Sequence, residues 1–199
     1  MSLPNAGSLR DRRRAELRAQ ILDAAHRLFA ERGFAAVTTE DIAATAGVSI
    51  STYFRYAPTK ESLLVAPIRQ AVANVVASYS ARPSDESAAE AFINLIVENI
   101  VGRTDQHATP WRQAILTAPD LMNKSALISE DDDRHLIQLV AMRMSVDGAT
   151  DIRPTLLVHT GLATAATVLG RWLNTDPNTN PPLDVQLKQA LKLTLAGFD

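Results

Sequence analysis

Between Thr38 and Pro58 the sequence TTEDIAATAGVSISTYFRYAP has room for two helices and only three residues, Gly47, Val48 and Ser49, to join them. Thr38 stands three residues before Asp41, the spacing at which a hydroxyl and a carboxylate cap a helix start reciprocally. Ile42, Ala43 and Ala46 give that helix its buried side, and Gly47 ends it. Ser49 caps the next helix through its hydroxyl. Pro58 closes it, because proline disfavours helical geometry in the residue before it. Two helices on so short a joint, with a third packed across them, make a helix-turn-helix unit.

The rest of the chain reads as helix. Residues 1–11 carry no periodic pattern, and Arg10, Arg12, Arg13 and Arg14 form a basic arm ahead of the first helix. From about Arg12, Leu17, Ile21, Ala24, Ala25, Leu28 and Phe29 recur at three- and four-residue intervals, one apolar stripe. Gly33 stops this helix and Phe34 folds back on it. A fourth helix runs from Thr59 to Tyr79 with Pro67 inside it, where proline removes a backbone hydrogen bond. Arg82-Pro83-Ser84-Asp85 is a break with Ser84 as cap, followed by an apolar helix over 85–102. Short helices follow around Trp111–Thr117 and Asp120–Leu127, then one from Ser129 to Met144, a long one from Ile152 to Leu173, and a last one over Leu183–Phe198. No alternating strand pattern occurs. The expected fold is all-α, with roughly nine helices.

Composition bounds the function. The 199 residues are 46% hydrophobic and 21% charged, ordinary for a soluble globular protein. There is no cysteine, so disulfides, thiolate metal sites and cysteine nucleophiles are excluded. No signal-like h-region and no membrane-length apolar run is present, and a cytoplasmic location is expected. Residues 1–60 carry nine Lys/Arg against six Asp/Glu, a balance of +3, whereas the remainder carries eleven against sixteen, a balance of −5. A basic front on an acidic body points to a polyanion met by one end. His26, His107, His135 and His159 lack metal-ligand spacing, and no phosphate loop or nucleophile elbow appears. The run Glu130-Asp131-Asp132-Asp133 follows Ser129 at a helix start, where acids answer the helix dipole rather than a cation. No catalytic residue, metal or cofactor is expected.

A helix-turn-helix lays its second helix in the major groove of double-stranded DNA, with its early residues at base edges. Such a helix needs small or hydrogen-bonding side chains at its start, which Ser49, Ser51 and Thr52 supply. Tyr56 and Lys60 on one flank, with Thr38 and Thr39 on the other, offer donors to phosphate oxygens. Arg55 has the reach for guanine O6 and N7, and a phosphate contact is the alternative. Val48 and Tyr53 turn inward.

The stretch TTEDIAATAGVSISTYFRYAPTKESLL resembles the DNA-binding domain of the TetR family of bacterial transcriptional regulators. Thr39, Ile42, Ala43, Ala46, Gly47, Val48, Ser49, Thr52, Tyr56, Lys60, Glu61 and Leu63 stand at matching places, and the resemblance covers about residues 12–65. Phe54 replaces the family's phosphate-bonding tyrosine, which turns that contact apolar, toward a thymine methyl or a sugar. Tyr53 stands where leucine is usual, Ala57 where a large aromatic is usual, and Ile50 leads the helix with an apolar tip. The resemblance implies a DNA-binding domain over 12–58 and a helical ligand-binding and dimerisation domain over 59–199. It also implies a homodimer on a palindromic operator, most often a repressor, released by a small-molecule effector.

For the effector site the candidates are apolar helix positions with a few polar or adaptable neighbours: Phe92, Ile96, Asn99, Arg103, Trp111, Ile115, Met142 and His159. The segment WRQAILTAPDLMNK, with GRWL later, is similar to the mycofactocin-type branch of the family, which implies an acyl-CoA-like ligand. The last helix has a leucine ladder, Leu183, Leu187, Leu191 and Leu195, and the helix before it is rich in small residues. These two helices are the expected dimer contact, with single-chain core as the alternative. A helical scaffold or an enzyme with a vestigial helix-turn-helix is the competing reading of the whole chain.

Overall fold

The computed structural model describes residues 9–104, 108–118, 121, 128–175 and 181–198, apart from the side chains of 101–104, 108 and 109. Among them are nine α-helices, one 3-10 turn and no strand. The helices are α1 (Leu9–Arg32), α2 (Thr39–Thr45), α3 (Ile50–Tyr56), α4 (Lys60–Tyr79), α5 (Ala88–Thr104), α6 (Ala108–Leu116), α7 (Glu130–Met144), α8 (Arg153–Leu173) and α9 (Leu183–Leu195), with the 3-10 turn at Phe34–Ala36. The short helix read around Asp120–Leu127 lies almost wholly outside the described residues. Among the described residues no helix is long and apolar enough to cross a membrane. The chain gathers into two compact units, residues 1–64 with 109–121, and residues 65–108 with 122–199. α4 begins in the first and continues in the second.

In the first unit, α1 buries Ile21, Ala24, Ala25, Leu28 and Phe29, the expected stripe, while Leu17 stays half-exposed. The helix already includes Leu9, so Arg10, Arg12, Arg13 and Arg14 are exposed helix side chains rather than an arm ahead of it. Their repulsion is diluted by Asp11 and Glu16. Gly33 has φ of 81°, and its N–H donates to the Phe29 carbonyl at 2.9 Å. Phe34 returns to place its ring 5.1 Å from that of Phe29.

The α2–α3 joint is a Schellman turn. Gly47 has φ of 67°, its N–H donates to the Ala44 carbonyl at 3.1 Å, and the Val48 N–H donates to the Ala43 carbonyl at 3.0 Å. Ser49 then opens α3 by accepting from the Thr52 N–H at 3.2 Å. Tyr53 and Ala57 face the core.

α4 carries Pro67, which has no N–H to give the carbonyl four residues back, that of Leu63. His26 on α1 fills that place: its Nε2 lies 3.1 Å from the Leu63 carbonyl. A carbonyl only accepts, so Nε2 carries the proton. The next carbonyl, Leu64, accepts from the Trp111 indole N–H at 2.9 Å.

In the second unit α9 packs on α8 and α5, and α7 packs on α8. Leu183, Leu187, Leu191 and Leu195 are all buried within the single chain. The ladder is therefore core, and what α9 leaves outward is Val185 and Leu193. α8 likewise buries one stripe, Pro154, Leu157, Val158, Gly161, Ala165, Leu169 and Leu173, and leaves Leu156, Ala163 and Thr167 exposed. Phe92 of α5 packs against α8 at Gly161, where a Cβ would come within 2.4 Å of the ring. The α4–α5 connection is laced by Arg143 of α7, whose guanidinium donates to the carbonyls of Pro83 (2.7 Å), Glu86 (3.0 Å) and Arg82 (3.0 Å). α5 is capped by Ser87, not Ser84. The Glu90 N–H donates to the Ser87 hydroxyl and the Ser87 N–H to the Glu90 carboxylate, so the helix begins three residues later than the sequence pattern placed it.

Candidate functional site

The exposed face of α2 and α3 collects hydroxyls, two apolar tips and an arginine. Thr38 is fully engaged. Its hydroxyl donates to the Asp41 carboxylate at 2.8 Å and accepts from the Asp41 N–H at 3.1 Å, while its own N–H donates to that carboxylate at 3.0 Å. These contacts, the backbone one foremost, hold the Asp41 carboxyl below the usual carboxylate range. The Thr39 hydroxyl donates to Glu40 at 3.0 Å. Ser49 donates to the Thr52 hydroxyl at 3.0 Å and lies 3.0 Å from that of Ser51, so the three hydroxyls at the start of α3 form one small cluster.

Ile50 and Phe54 are 39% and 50% exposed, and Arg55 is exposed beside them, its guanidinium 5.3 Å from the centre of the half-buried Tyr56 ring. Between them Tyr53 is buried, its ring edge-on to Phe54 at 5.3 Å, and its hydroxyl has no hydrogen-bond partner among the described residues. Burial, with Glu61 and Glu40 adding repulsion, pushes that phenol up to about 12.

Lys60 is half-buried. Its ammonium donates to the carbonyls of Phe34 (2.9 Å) and Val37 (3.0 Å) and sits 4.4 Å from the Phe34 ring centre. Two of its three N–H groups thus pin the 3-10 turn to the start of α4, leaving one for a phosphate.

The second unit contains a cavity of about 430 Å³, within the ~300–1,000 Å³ typical of small-molecule sites. α4 lends it Ile68 and Val72, α5 lends Ile96 and Ile100, and α8 lends Leu162, Ala165, Ala166 and Leu169. One end is polar, made by Ser129, Glu130 and Asp133 at the start of α7 and by His159 of α8. His159 is exposed, and its Nε2 lies 3.2 Å from both oxygens of the Asp133 carboxylate.

Of the sequence candidates, Ile96 and His159 meet at this cavity. Phe92 packs on Gly161 instead, and the Asn99 amide donates to the Leu95 carbonyl at 3.0 Å. Trp111 and Ile115 are core of the first unit. Met142 is 65% exposed and borders a smaller hollow with Tyr79, Leu139 and Arg143. The Arg103 side chain lies outside the described residues. Ile68, Val72, Asp133 and the alanines of α8 escaped the sequence reading. The alanines did carry a signal: adjacent small residues on a long helix leave space beside it.

A trihelical head with an exposed α3, joined to a larger helical unit, defines a helix-turn-helix DNA-binding regulator. The family model for bacterial regulatory proteins of the tetR family matches residues 21–66, and that for the MftR C-terminal domain matches residues 86–199. The chain belongs to the TetR family of transcriptional regulators, in the branch with an MftR-type C-terminal domain.

It is similar to the transcriptional regulator TcmR of Streptomyces glaucescens, at 27% identity over 96% of this chain and 88% of that one. It is also similar to the mycofactocin biosynthesis regulator MftR of Mycobacterium tuberculosis, at 29% identity over 94% of each. Among solved structures, a TetR-family regulator from Streptomyces coelicolor superposes with a TM-score of 0.59 at 15% identity, covering 92% of this chain and 99% of that one. Thermus thermophilus FadR, solved in complex with lauroyl-CoA, superposes with a TM-score of 0.52 at 23% identity, covering 90% and 94%. These two likenesses establish the fold.

Proposed function

We propose that the protein is a ligand-responsive repressor, binding a palindromic DNA operator as a homodimer and released by a small hydrophobic effector. The observation that carries the DNA half is the division of α3. Tyr53 and Ala57 anchor it inward, while Ser49, Ile50, Ser51, Phe54 and Arg55 face out. Small groups at the helix start permit close approach to base edges, and Arg55 supplies a bidentate donor for guanine. Thr38, Thr39, Thr52, Tyr56 and Lys60 flank them as phosphate contacts, for which the engaged hydroxyls would exchange internal partners for phosphate oxygens. The reading divides function at 12–58 and 59–199.

The effector half rests on the cavity. Ile68 and Val72 belong to α4, the helix that continues from the head into the second unit. An apolar ligand that favours one position of α4 biases the spacing of the two heads, provided it binds the non-operator conformation more tightly. Resemblance to mycofactocin-type regulators supports an acyl-type apolar chain, and FadR in complex with lauroyl-CoA is a structural relative in keeping with that.

Selection of bound duplexes from a random pool tests the proposal. A recovered motif with two inverted half-sites about 10 base pairs apart, or a multiple of it, is expected. Arg55→Ala should relax preference at one position, at a cost of about 1–3 kcal/mol. Failure to enrich any sequence would sink the reading.

A further inference from the structure

We infer that the effector's tail is an aliphatic chain of about twelve carbons, a length gauged by Leu169 of α8. The inference deepens the effector reading above and rests on the cavity being that site. The wall suits an alkyl tail better than a ring system. None of the protein's phenylalanines, tyrosines or tryptophans lines the cavity, and all of them lie among the described residues. A planar aromatic ligand would find no ring to pair with and would forgo what such pairs add beyond burial. Isoleucine, valine, leucine and alanine side chains offer methylenes close dispersion contact.

The length follows from α8. His159, Leu162, Ala165, Ala166 and Leu169 recur at three- and four-residue spacing, so one face of the helix runs along the cavity. The next positions of that face, Trp172 and Leu173, are described and do not line it, and neither do Thr155 and Leu156 before His159. From His159 to Leu169 the helix rises about 15 Å. An extended tail with bonds of about 1.5 Å at about 111° gains about 1.25 Å per carbon, so about twelve carbons fill that length. The two ends differ. Ser129, Glu130 and His159 are exposed, so the cavity opens there, whereas Leu169 at the other end is 1% exposed. Helix side chains tilt toward the helix N-terminus, here the open end, so Leu169 leans back over the tip of the tail. Between the ends, Ala165 and Ala166 leave the length clear.

Isothermal titration of the full-length protein with the saturated acyl-CoAs from hexanoyl to stearoyl, each below its micellar concentration, tests the gauge. Affinity should rise about threefold to fourfold per added methylene up to about twelve carbons, then level off or fall. Saturated fatty acids of the same lengths should break at the same carbon, because the gauge acts on the tail whichever head carries it. Leu169→Ala should move the break outward by about two carbons, the reach of the deleted side chain. Ala166→Leu, one turn nearer the mouth, should bring it inward by about four. A steady rise through stearoyl-CoA, a break outside about ten to fourteen carbons, or a break that neither variant moves overturns the gauge, while the tail's binding leaves the cavity reading standing. If no acyl-CoA or fatty acid binds at any length, the cavity reading fails and this inference with it. The break on the unaltered protein needs no variant to fold.

Discussion

Ile50 and Phe54 stand one helical turn apart on the open side of α3, and neither can hydrogen-bond a base. Their gain in a groove comes from apolar partners, of which the major groove offers one, the thymine methyl. Replacing thymine by deoxyuridine at the contacted step of the selected operator deletes that methyl and nothing else. Binding should weaken by about 0.8 kcal/mol, roughly fourfold in Kd, and Phe54→Ala should abolish the difference. Equal affinity for both duplexes would assign Phe54 to the sugar instead. At the entry of α2, Asp41 behaves as a local pH sensor of stability. Thr38 lowers its folded pKa below the ordinary aspartate value of 3.8, so the contribution is present above that value and is lost as pH falls through the depressed folded one. The melting-temperature gap between the protein and Asp41→Asn should therefore be level near neutrality and close below pH 3.8. A gap unchanged down to pH 3 would mean that the capping carboxylate contributes nothing.

At the scale of elements, α4 shows how a defect is absorbed. Pro67 leaves the buried Leu63 carbonyl without a helical donor, and His26 supplies one from α1. His26→Phe should cost about 1–3 kcal/mol, the penalty of an orphaned buried acceptor. In a Pro67→Ala background, where residue 67 regains its N–H, the cost should fall by at least about 0.5 kcal/mol in a double-mutant cycle read by urea unfolding. Strict additivity would show that the two residues do not share that carbonyl. Gly161 presents the opposite case. Alanine there favours the helix by about 1 kcal/mol, but its Cβ would lie 2.4 Å from the buried Phe92 ring, and overpacking of that kind costs about 1–3 kcal/mol. Gly161→Ala should thus lower the melting temperature, and Gly161→Ala with Phe92→Leu should restore part of it. These elements also mark where the sequence is legible. The stops at Gly33 and Gly47 and the caps Thr38, Ser49 and Ser129 read correctly because capping is local, decided within four residues. The start of α5 misled, since Ser84 and Ser87 both suit a cap and only the Glu90 carboxylate decides between them. Lys60 read as a phosphate donor, and what the sequence did not show is that it also reaches carbonyls 23 and 26 residues earlier, a relation that no local pattern encodes. The cavity was mostly illegible for the same reason: Ile68 and Val72 look no different in sequence from Val65 and Val75, and their role depends on which helices become neighbours.

For the whole molecule the leucine ladder of α9 carries a lesson about periodicity. A four-residue repeat says that one face is buried, not what buries it, and here the ladder is consumed by α8 and α5. The proposed dimer would then use what remains outward. On α8 this is Leu156, Ala163 and Thr167, spaced seven and four residues apart on one face, and on α9 it is Val185 and Leu193, the latter 82% exposed. The Thr164 hydroxyl donates to that of Thr194 at 3.1 Å, tying the two helices beside this surface. Small residues such as Ala163 and Gly170 allow a second copy's helices to approach closely, and a two-fold pairing would bring each series against its own copy, as a four-helix bundle. Sedimentation equilibrium should accordingly report twice the 21.6 kDa of the chain. Ala163→Glu and Leu193→Glu, each placing like charges across the two-fold axis, should give monomers of unchanged helicity, because neither residue supports the single chain's core. Such monomers should lose the two-headed affinity for the palindrome while still contacting a half-site weakly. If both variants remain dimeric, the copies meet elsewhere, and the open faces of α8 and α9 need another explanation. If they become monomeric yet hold the full operator as tightly, the two heads do not act as a pair.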